Sequence, residues 1–305
     1  MSAQLSPLVS TEWLENNLHN PDVQIIDVRW KFREENGKGV AFDNRADYET
    51  AHIPGAVYVG MVNDLSDKSH DVPDMMVGAS DFARVMSNLG IRNDAHIIVY
   101  DDSGLPLAAA RMWWALSLFG HQMVQVLDGG LLQWQLEQRS LSDQEPEISC
   151  SDYQATHNPE WVAIKSQVAS AIDDAGCDIV DCLPEELFSG AGTHTWGARG
   201  GHIPGAINIP AVANLDPAFA KSTMAERAEL MKERGSYLLG DVAQLSQHYA
   251  AKGLSKDRAV IAYCGRGIAA SCGLLAMRHL GFENSKLYDG SWAEWSADET
   301  LPVEP

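Results

Sequence analysis

Short apolar runs that end in polar residues recur along this chain. Ile25 to Val28, Val57 to Val59, Ile97 to Tyr100 and Val124 to Leu127 are of strand length, and such runs are expected of parallel strands buried on both faces. Helix-length stretches lie between them, from Ser80 to Leu89 and from Ala108 to Phe119, each followed by a glycine, Gly90 or Gly120. A glycine there suits the left-handed residue on which many helices end. The second half carries the same punctuation. Strand-like runs stand at Val180, Ile207 and Val260 to Tyr263, then a helix from about Ala269 to Leu280 is closed by Gly281. Strands alternating with helices predict an α/β fold, a mainly parallel sheet flanked by helices.

The halves also match residue by residue. Ile25-Ile-Asp-Val-Arg29 returns as Ile179-Val-Asp-Cys-Leu183, and Ala51-His-Ile-Pro-Gly-Ala-Val57 as Gly201-His-Ile-Pro-Gly-Ala-Ile207. Ile97-Ile-Val-Tyr-Asp-Asp-Ser-Gly104 returns as Val260-Ile-Ala-Tyr-Cys-Gly-Arg-Gly267. Leu127-Asp-Gly-Gly130 returns as Leu287-Tyr-Asp-Gly290, with Trp134 and Trp295 following. A period near half the chain indicates two tandem domains of one fold, since a solenoid would show a short period. The expected boundaries are 8–139 for the first domain and 160–305 for the second. The stretch 140–159 is polar, holds two prolines and lacks helical periodicity, so it is expected to be the linker.

Composition narrows the function. A length of 305 residues fits two domains at ~150 residues each. With 22 Lys+Arg against 42 Asp+Glu, the formal net charge is -20. That argues against nucleic acid and against an anionic membrane surface as partners. No apolar run approaches the ~18 residues of a membrane span; Leu105 to Gly120 is interrupted by Arg111. The first residues lack a basic segment followed by an apolar one, so no secretory signal is expected. Five cysteines, at spacings that fit neither a disulfide framework nor a zinc site, point to a reducing, cytoplasmic setting.

The informative difference between the halves is the residue after the matched tyrosine, Asp101 in the first and Cys264 in the second. Cys264 is predicted to follow a buried strand and to open the run Cys264-Gly-Arg-Gly-Ile-Ala-Ala270 before a helix. Ligands bind at the carboxyl ends of strands in such sheets. The glycines let N–H groups turn toward one point, the helix adds the positive end of its dipole, and Arg266 adds a full charge. All three favour a thiolate, which is the nucleophile. Cys150, Cys177, Cys182 and Cys272 read instead as small hydrophobes.

At these residues the chain resembles the tandem-domain rhodanese family, the thiosulfate and 3-mercaptopyruvate sulfurtransferases. The resemblance runs from about Leu8 to Trp295. It is carried by the two His-Ile-Pro-Gly-Ala segments, the Cys264 loop, Asp289-Gly-Ser-Trp-Ala-Glu-Trp295, Arg111-Met-Trp-Trp114, Phe119-Gly-His121 and Asp128-Gly-Gly130. The His-Ile-Pro-Gly histidines read as structural, because Pro and Gly shape a turn before a strand. The resemblance implies that Cys264 takes a sulfane sulfur as a persulfide and passes it to cyanide or a thiol, a thioredoxin-like protein among the candidates, by double displacement. It implies no metal and no organic cofactor. The amides of Gly265, Arg266, Gly267, Ile268 and Ala269 are expected to cradle the anion.

The loop matches neither branch of the family. The mercaptopyruvate branch typically reads Cys-Gly-Ser-Gly-Val-Thr and the thiosulfate branch Cys-Arg-Lys-Gly-Val-Thr. Arg266 stands at the Ser or Lys position, where a cation suits a doubly charged donor. The first-domain His that pairs with the loop Ser is replaced, its place expected at Met75. Both features favour thiosulfate. Against this, Leu187 and Ser189 stand where the family carries donor-binding arginines, and Arg199 is the candidate to replace them. Leu107 and Ala108 stand where a first-domain aromatic pair is usual, whereas Trp30 matches a pocket-wall aromatic and is explained as well by core packing. A Cys-x5-Arg phosphatase is excluded because that position holds Ala270. A non-turnover persulfide carrier for a protein partner stays open. The first copy, with Asp101-Asp-Ser-Gly104, cannot form a thiolate; it is expected to wall the cleft.

Overall fold

The structure, a computed structural model, describes residues 5–35, 38–192, 196–197, 199–215 and 239–305. Among them the first compact unit comprises 5–66 and 77–157, and the second comprises 67–76, 158–215 and 239–305.

The first unit is built on a parallel sheet of β1 (Leu8–Val9), β2 (Val23–Asp27), β5 (Ala56–Tyr58), β6 (His96–Tyr100) and β7 (Val124–Leu127), in the order β1-β7-β6-β2-β5. An antiparallel pair, β3 (Trp30–Glu35) and β4 (Lys38–Asp43), is added beside it. The second unit repeats the sheet with β8 (Val162–Ala163), β9 (Cys177–Asp181), β10 (Ile207–Asn208), β11 (Ala259–Tyr263) and β12 (Ser285–Tyr288), in the order β10-β9-β11-β12-β8. Read from the other edge, this is the same order strand for strand. The central strands are buried along their length, Ile97 to Tyr100 and Val260 to Tyr263, which is why they read as unbroken apolar runs.

The duplication extends to single hydrogen bonds. Ile53 N donates to the Tyr100 hydroxyl at 3.1 Å, and Ile203 N to the Tyr263 hydroxyl at 3.0 Å. His52 Nδ1 meets the Tyr48 carbonyl and His202 Nδ1 the Phe188 carbonyl, both at 2.8 Å. These contacts hold the two histidines as parts of the fold. The buried Trp134 indole donates to the Ser140 carbonyl, and the buried Trp295 indole to the Pro302 carbonyl. Truncating either tryptophan to Ala would cost ~3–5 kcal/mol of stability.

The stretch expected as a linker is pinned along the first unit as far as 157. Its backbone pairs Ser142 with His52, donates from Ser151 to the Ser87 carbonyl and from Thr156 to the Phe119 carbonyl. Such extended, edge-paired chain has no hydrophobic period, so its polarity resembled that of a free connection.

Candidate active site

Cys264 follows the last residue of β11, at the carboxyl end of the second sheet. The chain turns through Gly265, Arg266 and Gly267 and enters the helix Ile268–His279. Gly267 has φ 76°, a left-handed backbone that glycine adopts without steric penalty. Gly265 is required for a different reason: a Cβ there would stand 2.7 Å from the Trp196 indole. Ile268 and Ala269 begin the helix, so their N–H groups have no acceptor within it, and the positive end of the helix dipole lies at the loop. Cys264 itself is buried.

The loop is braced by the helix Ser291–Ala297. The Ser291 hydroxyl accepts from Cys264 N at 3.2 Å and Gly267 N at 2.9 Å, and donates to the Tyr288 carbonyl at 2.9 Å. Trp292 N donates to the Cys264 carbonyl at 2.9 Å, and Ala293 N to the Gly265 carbonyl at 3.0 Å. The Gly267 amide, expected in the anion cradle, is therefore engaged by Ser291. Ser291 reaches this position at φ 50°, a left-handed conformation uncommon for a residue with a side chain. The matched residue of the first unit is Gly130, at φ 55°. A serine is thus kept where the copy uses glycine, and its hydroxyl explains why.

Arg266 forms an ion pair with Asp74, Nη1 to Oδ2 at 2.6 Å, with side chains only 11% and 15% exposed. Its guanidinium carbon also lies 5.9 Å from the centre of the Trp196 ring. Asp74 belongs to the segment 67–76, which precedes the helix Ala79–Asn88 in sequence but packs as part of the second unit. The segment is fastened again by Met76 N, which donates to Asp289 Oδ2 at 3.0 Å. The residue that meets loop position 266 is thus Asp74, where the sequence placed Met75. The Ser–His arrangement of the mercaptopyruvate branch is here an Arg–Asp arrangement.

Arg199 is oriented elsewhere. Its guanidinium donates to the carbonyls of Trp295, Ser296, Asp298 and Leu301 at 2.8–3.3 Å, and its own carbonyl accepts from the Trp292 indole. It ties the end of the helix Ser291–Ala297 to the turn that follows, adding donors to the Trp295 and Asp298 carbonyls, which also accept from Asp298 N and Leu301 N. This engagement argues against the donor-binding role expected of it. Trp30 lies buried in the first unit, at the start of β3.

Of the four cysteines expected to be small packing residues, two are buried, Cys177 is half-buried, and Cys150 departs from the expectation by being exposed. Cys182 and Cys272 are buried, and burial pushes the Cys182 thiol well above its ordinary value. A Cβ on Gly273 would stand 2.5 Å from Cys182 Sγ, so Cys182 fills the notch that glycine leaves in the helix. Cys150 is exposed beside a cavity of about 820 Å³ in the first unit, among whose lining residues no member of the Cys264 loop appears. In the second unit burial raises the Asp181 carboxyl to about 6. Among the described residues no cluster of His, Cys, Asp and Glu could hold a metal, and no helix is long and apolar enough to cross a membrane.

Sequence reasoning missed three residues of this site. Ser291 had a partial signal in the repeat: the sequence match set Gly130 against Gly290, and the structure moves it one residue on, to Ser291, as Leu131 N and Trp292 N show by donating to the Asp101 and Cys264 carbonyls. Asp74 and Trp196 had none, because their contacts follow no local pattern.

With this geometry in place, the comparisons with known proteins agree. Both halves match the family of the Rhodanese-like domain, at residues 10–137 and 165–298. The chain is 35% identical over 298 residues to the 3-mercaptopyruvate sulfurtransferase of Escherichia coli strain K12, with 97% of each chain covered. It is 32% identical over 312 residues to the putative thiosulfate sulfurtransferase of Mycolicibacterium smegmatis, with 99% of each covered. The crystal structure of SseA from Escherichia coli, described as a rhodanese fold, aligns with a TM-score of 0.78 and 32% identity, covering 94% of this chain and 99% of that one. The chain therefore belongs to the rhodanese family. Its two matched domains, the second of which carries the cysteine loop, make it a tandem-domain sulfurtransferase of the rhodanese type.

Proposed function

We propose that the protein transfers a sulfane sulfur from thiosulfate to a thiophilic acceptor, cyanide or a thiol, through a persulfide on Cys264. The Cys264 thiolate attacks the outer sulfur of thiosulfate. A sulfur–sulfur bond forms as the donor's sulfur–sulfur bond breaks, and sulfite leaves with the electron pair. The acceptor then attacks the terminal sulfur of the persulfide, the Cys264 bond breaks, and the thiolate returns. With cyanide the product is thiocyanate; with a thiolate it is a persulfide. Splitting the transfer into two displacements lowers each barrier. The helix start at Ile268 and Ala269 favours the anionic sulfur in both resting and loaded forms. This thiol chemistry fits a reducing cytoplasm.

The observation that carries the donor assignment is the guanidinium of Arg266, two residues from Cys264 and within the loop itself. A cation there binds sulfonate oxygens through charge-assisted hydrogen bonds. One observation favours 3-mercaptopyruvate as a second reading: the Asp74 carboxylate on Arg266 lowers the net charge of the loop toward that of a neutral one.

Steady-state transfer to cyanide, with thiosulfate and 3-mercaptopyruvate run in parallel at saturating acceptor, tests the assignment. Thiosulfate should give the higher kcat/KM, and Arg266→Ala should raise its KM about tenfold, the scale of one charged hydrogen bond. A preference for mercaptopyruvate would move that reading to first place. Silence with both donors, beside a Cys264 persulfide in the intact mass, would leave a persulfide carrier.

A further inference from the structure

We propose that Asp74 is a specificity-determining residue of the donor site, a built-in carboxylate that occupies Arg266 and that an anionic donor must displace. The proposal rests on the Arg266 loop as the donor site.

Arg266 is held from two sides. Asp74 takes its Nη1 at 2.6 Å, and the Trp196 ring lies 5.9 Å from its guanidinium carbon. Both interactions favour a cation, but only the first is one that a donor anion can replace in kind. A carboxylate and a sulfonate present the same feature to a guanidinium, oxygens that accept its N–H bonds. The position of Asp74 is over-determined. Its φ is 61°, in the left-handed region that Asp tolerates better than most residues. Two residues on, Met76 N is tied to Asp289, beside the turn that carries Ser291. Strained backbone persists only where its surroundings fix it, and here they fix a carboxylate on the loop's cation.

Pairing has a consequence for selection. A bare arginine would attract every anion that reaches Cys264, including the sulfite released by the first displacement. With Asp74 in place, an anion gains Arg266 only by exchange, so binding depends on how well it outcompetes a carboxylate. Discrimination between donors then becomes a difference between two similar interactions.

The test reads charge at Cys264 without requiring turnover. Wild type, Asp74→Asn, Asp74→Ser, Asp74→Glu and Arg266→Ala are alkylated with iodoacetate, an anion, and with iodoacetamide, its neutral isostere. Modification of Cys264 is followed by mass. Each reagent forms one sulfur–carbon bond and releases iodide, so the ratio of the two rates reports electrostatics at the thiolate. In Asp74→Asn and Asp74→Ser the iodoacetate to iodoacetamide ratio should rise about fivefold, the order expected for unmasking one charge at protein-like screening. Asp74→Glu should keep the wild-type ratio, and Arg266→Ala should lower it. An unmoved ratio in folded Asn and Ser variants, confirmed by circular dichroism, overturns the proposal. If thiosulfate turnover is absent in wild type while the ratio shifts as stated, the donor assignment fails and the role of Asp74 stands. If turnover is present and the ratio does not move, the reverse holds.

Discussion

The loop at Cys264 and the loop at Asp101 occupy the same place in two copies of one sheet. Their backbones are held alike. Leu131 N donates to the Asp101 carbonyl and Trp292 N to the Cys264 carbonyl, both at 2.9 Å. Gly104 and Gly267 close the two loops at φ 73° and 76°. What differs is the side chain that serves the loop. Asp101 fills its own: its carboxylate accepts from Ala109 N at 3.0 Å and Ser103 N at 3.2 Å, and burial pushes it up to about 7. At the second loop the amides of Cys264 and Gly267 donate to Ser291, in the position of Gly130. One copy is filled by its own carboxyl group. The other is braced by a hydroxyl from a neighbouring helix.

The largest effect should come from exchanging the two centres. Cys264→Ser is expected to abolish transfer while leaving the fold intact, and adding Asp101→Cys should restore nothing. A thiol at 101 would be fully buried beside Asp102, both of which hold it protonated. Measurable transfer by the double variant would show that the loop backbone alone makes a site. Ser291→Ala comes next. It orphans two buried amides, so a loss of ~1–3 kcal/mol of stability should accompany a fall of about tenfold in kcat/KM, on the scale of a lost positioning donor. A stability loss with full activity would reduce Ser291 to packing.

Smaller is the pH signature of the buried Asp101 carboxyl. The ordinary value of 3.8 is raised to about 7 in Asp101, so the folded state keeps a proton that the unfolded chain releases. That contribution is complete below about pH 4 and is lost as pH rises to about 7, by up to ~1.4 kcal/mol per pH unit. Denaturant midpoints from pH 4 to 8 should show the decline, and Asp101→Asn should flatten it. An unchanged slope in the variant would assign the proton to another group, with Asp181 at about 6 the first candidate. Smallest are Tyr100→Phe and Tyr263→Phe, which remove matching acceptors of Ile53 and Ile203. Each should cost ~1 kcal/mol, nearly equally; a large inequality in chemical denaturation would mean that the copies have diverged in their cores as well as their loops.

The repeat, the strand–helix alternation and the place of Cys264 between a strand and a helix were legible because each rests on local signals: apolar runs of strand length, glycines at helix ends, and one cysteine set against an aspartate. Ser291 was hidden by one residue of register: the sequence match paired Gly130 with Gly290, whereas the structure pairs Asp128-Gly-Gly130 with Asp289-Gly-Ser291. The Arg266–Asp74 pair was not, because a single charge complement between distant segments leaves no period in a sequence. Arg199 misled for a related reason. An arginine near a site is expected to bind an anion, and nothing local announces that its guanidinium is taken up by four carbonyls between Trp295 and Leu301.

The brace on the Cys264 loop arrives late in the chain, 24 residues after Gly267 and 27 after Cys264. During synthesis the nucleophile therefore emerges before the hydroxyl that orders its backbone. A polypeptide cut short before Ser291 carries Cys264 on a loop whose amides lack their side-chain acceptor.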